Sequence, residues 1–568
     1  MQLTELYTLW RKQAIEDPDL IKELAQIEGN EKEIEDRFYQ ALEFGTGGLR
    51  GIIGAGTNRM NIYTVRHASQ GIANYLMKEF TTPSIVIAYD SRINSEKFAK
   101  EAAATYAENG IKTYLFKALM PTPVLSFAVR SLRCSAGVVI TASHNPAEYN
   151  GYKAYGSDGC QITNLAADTI LAEIKKAEMF NTKGRSSFSA LLQAGKIAYV
   201  DDSVLQDFLT AVQTQSIYQN LGASSTLKFV YSPLNGTGNI PVRTILEQNG
   251  YTPIIVPEQE LPDGNFPTCR YPNPEEKDAL TLALKLAGEK NADLLIATDP
   301  DCDRLGAAIK KDDGTFQILS GNEVGFLLLN YILEAKGQTL PKDGITVKTV
   351  VTSDIVFAIA AKYGIGVIEV LTGFKYIGEV IGHLEQKGEA HRYVFGFEES
   401  CGYLAGTHAR DKDAVVAAML FIEMAAYYKK KGNSVLDVLE NLYKEFGYYT
   451  TRLVSITLKG KEGAEKIAAI MQSFRNTPPK EIGGAAVTDM TDYEQEVDLP
   501  KSVNKQSGIT LPASNVLVFE TENQIKVIVR PSGTEPKIKI YYSATAPSSE
   551  EGNAKIDLAS LDFEKHFK

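Results

Sequence analysis

The sequence contains little that would support a metal-finger, secreted or membrane protein. It has five cysteines among 568 residues, far apart and without CxxC spacing. An odd set of this kind excludes a zinc-finger pattern and favours reduced thiols. The first twenty residues lack an apolar signal-peptide core and read as an amphipathic helix. The most apolar run, residues 414–428, is interrupted by Glu423 and is too short to span a bilayer comfortably, so we interpret it as a buried helix. We therefore expect a cytoplasmic protein with no membrane partner.

The chain also lacks an excess of basic residues. Its 59 Lys and Arg residues are outnumbered by 70 Asp and Glu residues, which gives a formal net charge of -11. This balance argues against broad nucleic-acid binding, which depends on the neutralisation of phosphates by basic side chains. A small anionic substrate remains compatible with it, because a cleft can be locally basic in an acidic protein. The length suggests about four domains at roughly 150 residues each.

Three stretches of the chain repeat one order of elements. Each has a helix, an apolar strand, a second helix and a second strand, and it closes with a strand that leads into a polar loop. The three closing segments are AGVVITASHNP, ADLLIATDPDCDR and YVFGFEES. Alternation of this kind indicates α/β units with mostly parallel sheets, in which ligands bind beyond the carboxyl ends of the strands. The three closing loops are therefore where we expect chemistry.

The last part of the chain follows a different pattern. From about residue 450 it contains a strand, a helix and two late strands around RPSGTEPK, which is typical of an α+β domain. We predict an α/β fold with three similar mixed α/β domains and a smaller C-terminal α+β domain. The predicted boundaries are 1–205 for the first domain with an N-terminal helical extension, 206–322 for the second, 323–447 for the third and 448–568 for the last.

The first closing loop, TASHNP, places Ser143 just after a buried strand. The Asn-Pro pair that follows favours a turn, which we expect to leave the Ser143 hydroxyl exposed. A serine in such a position can carry a phosphoryl group covalently. His144 is its neighbour, and Lys153 follows nearby. An ordinary structural turn would account for the same residues, whereas a serine hydrolase is excluded because no GxSxG elbow surrounds the serine.

The second closing loop, DPDCDR, has carboxylates on alternate residues, at Asp299, Asp301 and Asp303. Three negative charges so close together require a cation, and oxygen ligands suit Mg²⁺. An EF-hand is excluded because Arg304 occupies the position of the loop glycine and Lys310 that of the bidentate glutamate. A solvated acidic turn is the alternative, but the apolar strand LLIA leads directly into the loop.

The third closing loop, GFEES, contains Glu398 and Ser400, whose acceptor and donor groups suit the hydroxyls of a sugar. The nearby segment 372–375, TGFK, adds the cation of Lys375. Taken alone, this loop would serve equally well as a solvated turn.

The fourth loop, RPSGTEPK, combines a guanidinium at Arg530 with the hydroxyls of Ser532 and Thr534, and Gly533 permits close backbone approach. This set suits a phosphate group, whereas a simple β-turn would not explain the flanking cations. Near the N-terminus GTGGLRG, which includes Arg50, is a further glycine-rich turn. It lacks GxGxxG spacing, so a dinucleotide site is not expected.

Together and in this order, TASHNP, DPDCDR, GFEES and RPSGTEPK resemble the motifs of the α-D-phosphohexomutase superfamily of phosphoglucomutases and phosphomannomutases. The resemblance covers nearly the whole chain. The strings TGFKYIG, PNPE and HARDKD are most similar to the phosphoglucomutase branch that includes phosphopentomutases and glucose-1,6-bisphosphate synthases. The resemblance implies four domains around a central cleft that is lined by one loop from each domain.

The resemblance also implies a role for each motif residue. Ser143 is the expected phosphoserine, which contributes a phosphate oxygen to an Mg²⁺ site with the three aspartates. The other implied site residues are, for catalysis, His144, Lys153, Arg304 and Arg50; for the sugar, Thr372, Gly373, Lys375, Glu398 and Ser400; and for the second phosphate, Lys412, Arg530, Ser532, Gly533 and Thr534. His144, Lys153 and Lys412 are all candidates for the general acid or base, and the sequence does not choose between them.

The implied reaction interconverts glucose 1-phosphate and glucose 6-phosphate through the phosphoserine, with glucose 1,6-bisphosphate as intermediate and activator. A phosphopentomutase, a phosphomannomutase or a glucose-1,6-bisphosphate synthase is the alternative on the same scaffold. Dual-specificity mutases carry a histidine where this chain has Gly402, which favours glucose over mannose. A silent paralogue that only binds phosphosugars is disfavoured, because Ser143 and the three aspartates are all present.

Overall fold

A computed structural model of the chain describes residues 3–45, 47–162, 164–180, 185–458, 460–494, 511–532 and 537–567. The chain divides into two compact units. Unit one comprises Met1–Gly321, Ile381–Ala390 and Ser400–Ala426, and unit two comprises Asn322–Val380, His391–Glu399 and Tyr427–Lys568.

The N-terminal extension of unit one is helical, as predicted. It contains α1 (Leu3–Gln13), α2 (Pro18–Gln26) and α3 (Glu31–Phe38). Helix α2 begins where the Asp17 side chain accepts the backbone N–H of Asp19, with proline at the first helical position. Trp10 on α1 is fully buried and packs edge-on against Phe38 at a centroid distance of 5.8 Å. Trp10 also packs against Tyr63 and Phe180, so the extension shares one aromatic core with the first α/β domain.

The first sheet of unit one has the strand order β1-β5-β4-β2-β3-β6. Strands β4, β2, β3 and β6 are parallel, β5 pairs antiparallel with β4, and β1 pairs antiparallel with β5. The strands are β1 (Gly48–Ile52), β2 (Ser84–Tyr89), β3 (Lys112–Leu115), β4 (Ala136–Ile140), β5 (Tyr149–Gly156) and β6 (Ile197–Tyr199). The helices are α4 (Ile62–Glu79), α5 (Ser95–Glu108), α6 (Thr122–Ser131), α7 (Asn164–Lys176), α8 (Phe188–Gln193) and α9 (Ser203–Gln213).

The second sheet of unit one has the order β11-β10-β9-β7-β8. Strands β9, β7 and β8 are parallel, β10 pairs antiparallel with β9, and β11 pairs antiparallel with β10. The strands are β7 (Phe229–Ser232), β8 (Ile254–Ile255), β9 (Leu294–Thr298), β10 (Leu305–Lys310) and β11 (Phe316–Leu319). The helices are α10 (Asn239–Gln248), α11 (Pro257–Glu260) and α12 (Lys277–Glu289), and a 3₁₀ turn covers Gly222–Ser224.

A third set of strands follows the same pattern, with the parallel order β13-β12-β14 in unit two. The chain here forms β12 (Ile345–Thr349), β13 (Gly366–Val370), β14 (Tyr393–Glu398) and β15 (Gly402–Ala405). The helices are α13 (Gly321–Lys336), α14 (Ile355–Lys362), α15 (Phe374–Gln386), α16 (Ala414–Lys430) and α17 (Val435–Phe446), with 3₁₀ turns at Gly337–Thr339 and Ala390–Arg392. The apolar run predicted to be a buried helix is α16, whose residues 414–426 are all buried.

The C-terminal part of unit two is an antiparallel sheet covered by helices, which confirms the predicted α+β pattern. Its strand order is β16-β21-β20-β19-β18-β17. The strands are β16 (Tyr448–Thr457), β17 (Glu481–Ile482), β18 (Ala485–Asp492), β19 (Leu517–Thr521), β20 (Ile525–Pro531) and β21 (Lys537–Ala546), and the helices are α18 (Gly460–Asn476) and α19 (Ser549–Glu564). Phe474 on α18 packs against Phe519 and Phe563, so the helices and the sheet share one core.

The three predicted repeats have the same strand order. The closing strand lies beside the first strand, which lies beside the second, as β4-β2-β3, β9-β7-β8 and β14-β12-β13. This regularity confirms three similar mixed α/β domains. The polar loops follow β4, β9 and β14, at carboxyl ends of parallel strands, where ligands bind in sheets of this type. The boundaries between the domains stay predictions.

A group of charges around the buried Lys348 joins the third and fourth domains within unit two. Lys348, on β12, is fully buried, and its Nζ donates to Asp354 Oδ1 at 2.8 Å and to Glu369 Oε2 at 2.6 Å. Lys526, on β20, donates to the other oxygen of Asp354 at 3.2 Å. Burial acts to raise the pKa of Asp354, but Lys348 and Lys526 outweigh it and lower that pKa well below its usual range. These charges therefore fix the C-terminal sheet to the third domain.

Within the part of the chain that the structure describes, we found no helix with both the length and the apolar character needed to cross a membrane.

Candidate active site

The loop after β4 holds Ser143 in a backbone conformation that is uncommon for a residue with a side chain. Its φ is 52°, in the left-handed region. The backbone N–H of Ser143 donates to Thr141 Oγ1 at 2.8 Å. We expected an exposed hydroxyl, but only 3% of Ser143 is exposed, because its Oγ donates to Asp299 Oδ2 at 2.8 Å. The first and second closing loops therefore meet at this serine.

The three aspartates after β9 form one buried cluster. One carboxylate oxygen of each lies within 4.8 Å of the others. Asp299 Oδ1 accepts the backbone N–H groups of Asp303 at 3.1 Å and Arg304 at 3.0 Å. Asp301 Oδ2 accepts the hydroxyl of Thr122, at the start of α6, at 2.8 Å. Burial and the two neighbouring carboxylates raise the pKa of Asp299 well above its usual value.

The donor set of this cluster fits Mg²⁺. All three side chains offer oxygen, the ligand that Mg²⁺ prefers. Oδ1 of Asp301 and Oδ1 of Asp303 are buried and accept no hydrogen bond from any described residue. A buried carboxylate oxygen without a partner is costly, and a divalent cation would satisfy both of these oxygens.

Two lysines neutralise part of the cluster. Lys153, on β5, donates to Asp301 at 2.7 Å and to Asp303 at 3.2 Å. Lys412 Nζ lies 3.3 Å from Asp303 Oδ2. Burial acts to raise the pKa of Asp303, but Lys153, Lys412 and Arg304 outweigh it and lower that pKa. Burial acts to lower the pKa of Lys153, yet Asp301 and Asp303 raise it, so this ammonium stays charged at neutral pH.

Lys412 reaches the cluster through space that Gly402 leaves open. A Cβ added at Gly402 would lie 2.1 Å from Lys412 Cδ and 2.6 Å from its Cγ. Such distances do not occur between non-bonded carbons, so a larger residue at this position would displace the lysine. Gly402 was singled out in the sequence as a departure from dual-specificity mutases. The structure gives it a physical role, as the residue that makes room for a cation.

Two arginines and one histidine lie near the serine loop, namely Arg304, Arg50 and His144. Arg304 pairs with Glu275 at 2.9 Å, and Arg50 donates to the side chain of Asn145, in the serine loop, at 3.1 Å. His144 Nδ1 lies 3.1 Å from Ser143 Oγ. Burial, Arg304 and Arg50 lower the pKa of His144 well below its usual value, so the ring is neutral at neutral pH.

Sequence reasoning missed two arginine contacts here. Glu275, which orients Arg304, belongs to the PNPE string that was noted only for its resemblance. Arg92 lies three residues after the end of β2 and outside every motif, and it donates to the backbone of the serine loop. A position just beyond the carboxyl end of a parallel strand was the one signal that could have identified it.

Unit two brings together most of the residues predicted to bind sugar and phosphate. Glu398 Oε1 accepts the backbone N–H of Gly373 at 2.8 Å. Gly373 has a φ of 126°, which favours glycine. Thr372 Oγ1 is buried and has no hydrogen-bond partner among the described residues.

The cations of unit two lie next to this group. Burial and Arg530 lower the pKa of Lys375, whose Nζ lies 4.9 Å from the centroid of the Tyr376 ring. Burial and Glu399 raise the pKa of Tyr541, whereas Arg530 acts to lower it. Arg530 therefore interacts with Lys375 on α15 as well as with Tyr541 in its own sheet.

The remaining predicted residues are placed as follows. Ser400 belongs to unit one and lies in the turn after β14, where Cys401 O accepts the backbone N–H of Leu305 at 3.0 Å. Ser532 directly follows β20, and its backbone N–H donates to Lys537 O at 2.7 Å. Gly533 and Thr534 fall outside the described residues.

Comparison with known proteins gave three family matches in succession. The models described as "Phosphoglucomutase/phosphomannomutase, alpha/beta/alpha domain" I, II and III match residues 41–180, 206–314 and 320–446. A phosphoglucomutase of Staphylococcus saprophyticus is 36% identical over 536 residues, which cover 94% of this chain and 95% of the relative. A phosphoglucomutase of Staphylococcus aureus USA300 is 36% identical and covers 97% of both chains.

Solved structures show the same fold at lower identity. A putative phosphomannomutase from Thermus thermophilus superimposes with a TM-score of 0.68 at 21% identity, over 92% of this chain and 99% of that one. The Paramecium phosphoprotein parafusin, a phosphoglucomutase, superimposes with a TM-score of 0.66 at 19% identity, over 92% of this chain and 94% of that one.

Proposed function

Because the chain belongs to the phosphoglucomutase/phosphomannomutase family, we propose that it interconverts glucose 1-phosphate and glucose 6-phosphate. The chain is an enzyme, an intramolecular phosphotransferase of the isomerase class. The observation that carries the proposal is the hydrogen bond of 2.8 Å from Ser143 Oγ to Asp299, one of three clustered and buried carboxylates.

Ser143 is the covalent carrier of the phosphoryl group in this proposal. A free hydroxyl of the sugar phosphate attacks the phosphorus of phosphoserine 143. The new bond joins the sugar oxygen to phosphorus, the Oγ–P bond breaks, and the product is glucose 1,6-bisphosphate. After the bisphosphate has turned over, its other phosphoryl group returns to Ser143 Oγ and the isomeric sugar phosphate leaves. Glucose 1,6-bisphosphate is therefore both intermediate and activator.

Asp299, Asp301 and Asp303, with a phosphoryl oxygen of Ser143, would hold Mg²⁺. When bound, this ion supplies positive charge to the oxygens of the transferring phosphoryl group. The Oδ1 atoms of Asp301 and Asp303, which accept no hydrogen bond from the described residues, support this assignment.

The cations of unit one stabilise the negative charge of the transferring group. Lys153 and Lys412 lie at the acidic cluster, and Arg304 lies beside Asp303 at 3.9 Å. Arg50, which donates to Asn145 in the serine loop, adds a further positive charge there. Such preorganised charge is the main contribution that a protein makes to phosphoryl transfer.

The proton of the attacking hydroxyl also needs an acceptor. When phosphate returns to the protein the attacking hydroxyl is Ser143 Oγ, and His144 is suited to accept its proton, since its lowered pKa leaves it neutral and its Nδ1 lies 3.1 Å from Ser143 Oγ. Lys153 is suited to the role of acid, because its raised pKa keeps it protonated. The geometry thus supports a division of roles between residues that the sequence could not rank.

We assign the sugar hydroxyls and the second phosphate to the remaining motif residues. The sugar residues are Thr372, Gly373, Lys375, Glu398 and Ser400, and the residues for the non-reacting phosphate are Arg530, Ser532, Gly533 and Thr534. Among the described residues Thr372 Oγ1 has no hydrogen-bond partner, and the cations Lys375 and Arg530 interact with each other; both observations support this part of the proposal. Five free cysteines support the predicted cytoplasmic location.

The decisive experiment measures turnover of glucose 1-phosphate with and without added glucose 1,6-bisphosphate. We expect activity that depends on the bisphosphate and on Mg²⁺, and intact-mass measurement should show one phosphate on the protein that transfers to sugar. Ser143→Ala should abolish turnover and remove that phosphate. Ser131→Ala, an exposed serine at the end of α6, is the matched control and should behave as wild type.

Three results would contradict the proposal. Near wild-type turnover by Ser143→Ala would refute the covalent mechanism. Preferred turnover of ribose or mannose phosphates in the same assay would instead identify a phosphopentomutase or a phosphomannomutase. Net synthesis of bisphosphate without isomerisation would identify a glucose-1,6-bisphosphate synthase.

A further inference from the structure

Arg92 is the side chain that holds the backbone of the serine loop. It is buried, and its guanidinium donates to four carbonyl oxygens of that loop. Nη2 donates to Ser143 O at 2.6 Å, and Nη1 donates to Pro146 O at 2.9 Å and to Tyr149 O at 3.0 Å. Nη2 also donates to Asn145 O. The side chain of Arg92 therefore forms hydrogen bonds with carbonyl groups along the whole turn.

The loop requires such an anchor because Ser143 is strained. A left-handed φ of 52° in a residue with a side chain costs free energy that the surroundings must offset. The bond from Ser143 N to Thr141 is local and fixes one side of the residue. Arg92 fixes the other side by binding the Ser143 carbonyl twice, through Nε at 3.2 Å and through Nη2.

Arg92 also contacts the domain that carries the aspartates. Its guanidinium lies 5.0 Å from the centroid of the Phe266 ring, in cation–π geometry. The chain next to Phe266 packs tightly there, since a Cβ added at Gly264 would lie 2.5 Å from the backbone nitrogen of Ile93. Asp90 pairs with the guanidinium at 3.5 Å within the first domain. Arg92 thus touches both the serine loop and the second domain.

We propose that Arg92 is a positioning residue for phosphoryl transfer. Through the loop carbonyls and Phe266, it fixes Ser143 Oγ beside the acidic cluster; this role rests on the proposed function. Arg92 itself touches no reacting atom. A lysine could not replace it fully, because an ammonium has three donors at one point, whereas the guanidinium spreads five donors across a plane.

The test compares Arg92→Met and Arg92→Lys with a matched control, Arg66→Met. Arg66 is also buried in the same domain, at 8% exposure against 3% for Arg92, but it pairs with Glu16 and Glu101 and not with the serine loop. The first readout is the rate at which Ser143 takes phosphate from glucose 1,6-bisphosphate, followed by intact mass. The second is amide hydrogen exchange in peptides that cover residues 142–149.

A misplacement of about 1 Å costs about 100-fold in rate. We therefore expect Arg92→Met to slow phosphate uptake and kcat about 100-fold, with KM for glucose 1-phosphate nearly unchanged. Exchange in the loop should accelerate, and Arg92→Lys should give an intermediate result. Arg66→Met should lower the unfolding temperature without changing either readout. If Arg92→Met does not fold, Phe266→Leu removes the ring contact and keeps the charge, and it should show the same effects in weaker form.

The positioning role would be overturned if Arg92→Met matched Arg66→Met in both loop exchange and phosphate uptake. A wild-type enzyme that takes no phosphate from the bisphosphate would refute the proposed function instead. In that event the exchange measurement alone decides whether Arg92 orders the loop.

Discussion

Replacing Asp299 by Asn should make the protein more stable in chelator while abolishing its activity. Asp299 faces two other buried carboxylates whose ligand oxygens lie within 4.8 Å. At that distance two unit charges repel by about 3.5 kcal/mol with an effective dielectric constant of 20. Lys153 and Lys412 contact Asp301 and Asp303 rather than Asp299. The charge of Asp299 is therefore the least compensated of the three.

Asparagine preserves most of the contacts of Asp299. Its Oδ1 can accept the same two N–H groups, from Asp303 and Arg304, and its amide nitrogen can donate to Ser143 Oγ. The variant thus loses a charge rather than a packing contact. Since the two lysines already offset part of the repulsion, we expect a gain of about 1–3 kcal/mol in the free energy of unfolding without metal.

The gain should depend on pH in a defined direction. Burial, Asp301 and Asp303 raise the pKa of Asp299 in the folded state. A carboxyl group with a raised folded pKa favours folding while it is protonated. In chelator, the wild type should lose stability as pH rises from the unfolded value, about 3.9, through the raised folded pKa. Asp299→Asn should not show this loss. The difference in free energy of unfolding between the variant and the wild type should therefore be largest at pH values above the raised folded pKa.

Tryptophan fluorescence can follow the unfolding of unit one. Trp10 is the one tryptophan in the sequence and is fully buried in unit one, the unit that contains the cluster. Its fluorescence during denaturant unfolding should report unit one alone. Mg²⁺ at 100 times its dissociation constant should stabilise the wild type by about 2.7 kcal/mol and Asp299→Asn much less. A variant that is less stable than wild type in chelator, or equally stabilised by Mg²⁺, would refute the reasoning.

Three other substitutions test separate parts of the structure. Gly402→Ala should lower activity, because the new Cβ would displace Lys412 from the acidic cluster. The control Gly288→Ala, at an open helical position, should keep activity and add about 0.5–1 kcal/mol of stability. Equal activity of the two variants would contradict the steric argument. Arg530→Ala should weaken binding of glucose 1-phosphate and of glucose 6-phosphate by about 10- to 100-fold each, as measured by calorimetry. A loss of affinity for only one of the two substrates would contradict a shared phosphate site. Lys348→Met should destabilise unit two by about 1–3 kcal/mol, since it removes a buried counter-charge from two half-buried carboxylates that keep only Lys526. An unchanged denaturation midpoint would contradict that role.

The order of the elements was determined by the sequence. Apolar strands of four to six residues alternate with amphipathic helices, and this local pattern predicted three similar α/β units before any contact was known. The structure confirms the repeat in the strand orders β4-β2-β3, β9-β7-β8 and β14-β12-β13. Strand polarity also placed TASHNP and DPDCDR at carboxyl ends, where Ser143 and the aspartates were expected to act.

The tertiary structure decided the contacts between residues far apart in the chain. Ser143 and Asp299 are 156 positions apart, and Lys153 and Asp301 are 148 apart. No periodicity or local turn preference encodes such pairs, because they depend on how whole domains pack. The burial of Ser143 follows from one of these pairs, which is why an exposed hydroxyl was the wrong expectation.

The same reason explains why Arg92 and the role of Gly402 were not foreseen. Arg92 lies in no motif, and its importance comes from carbonyl groups more than fifty positions away. Gly402 was noted in the sequence, but only packing shows that its missing side chain is the space that Lys412 occupies. Residue types and local order thus fixed which groups were available for chemistry, whereas packing between domains decided which of them meet.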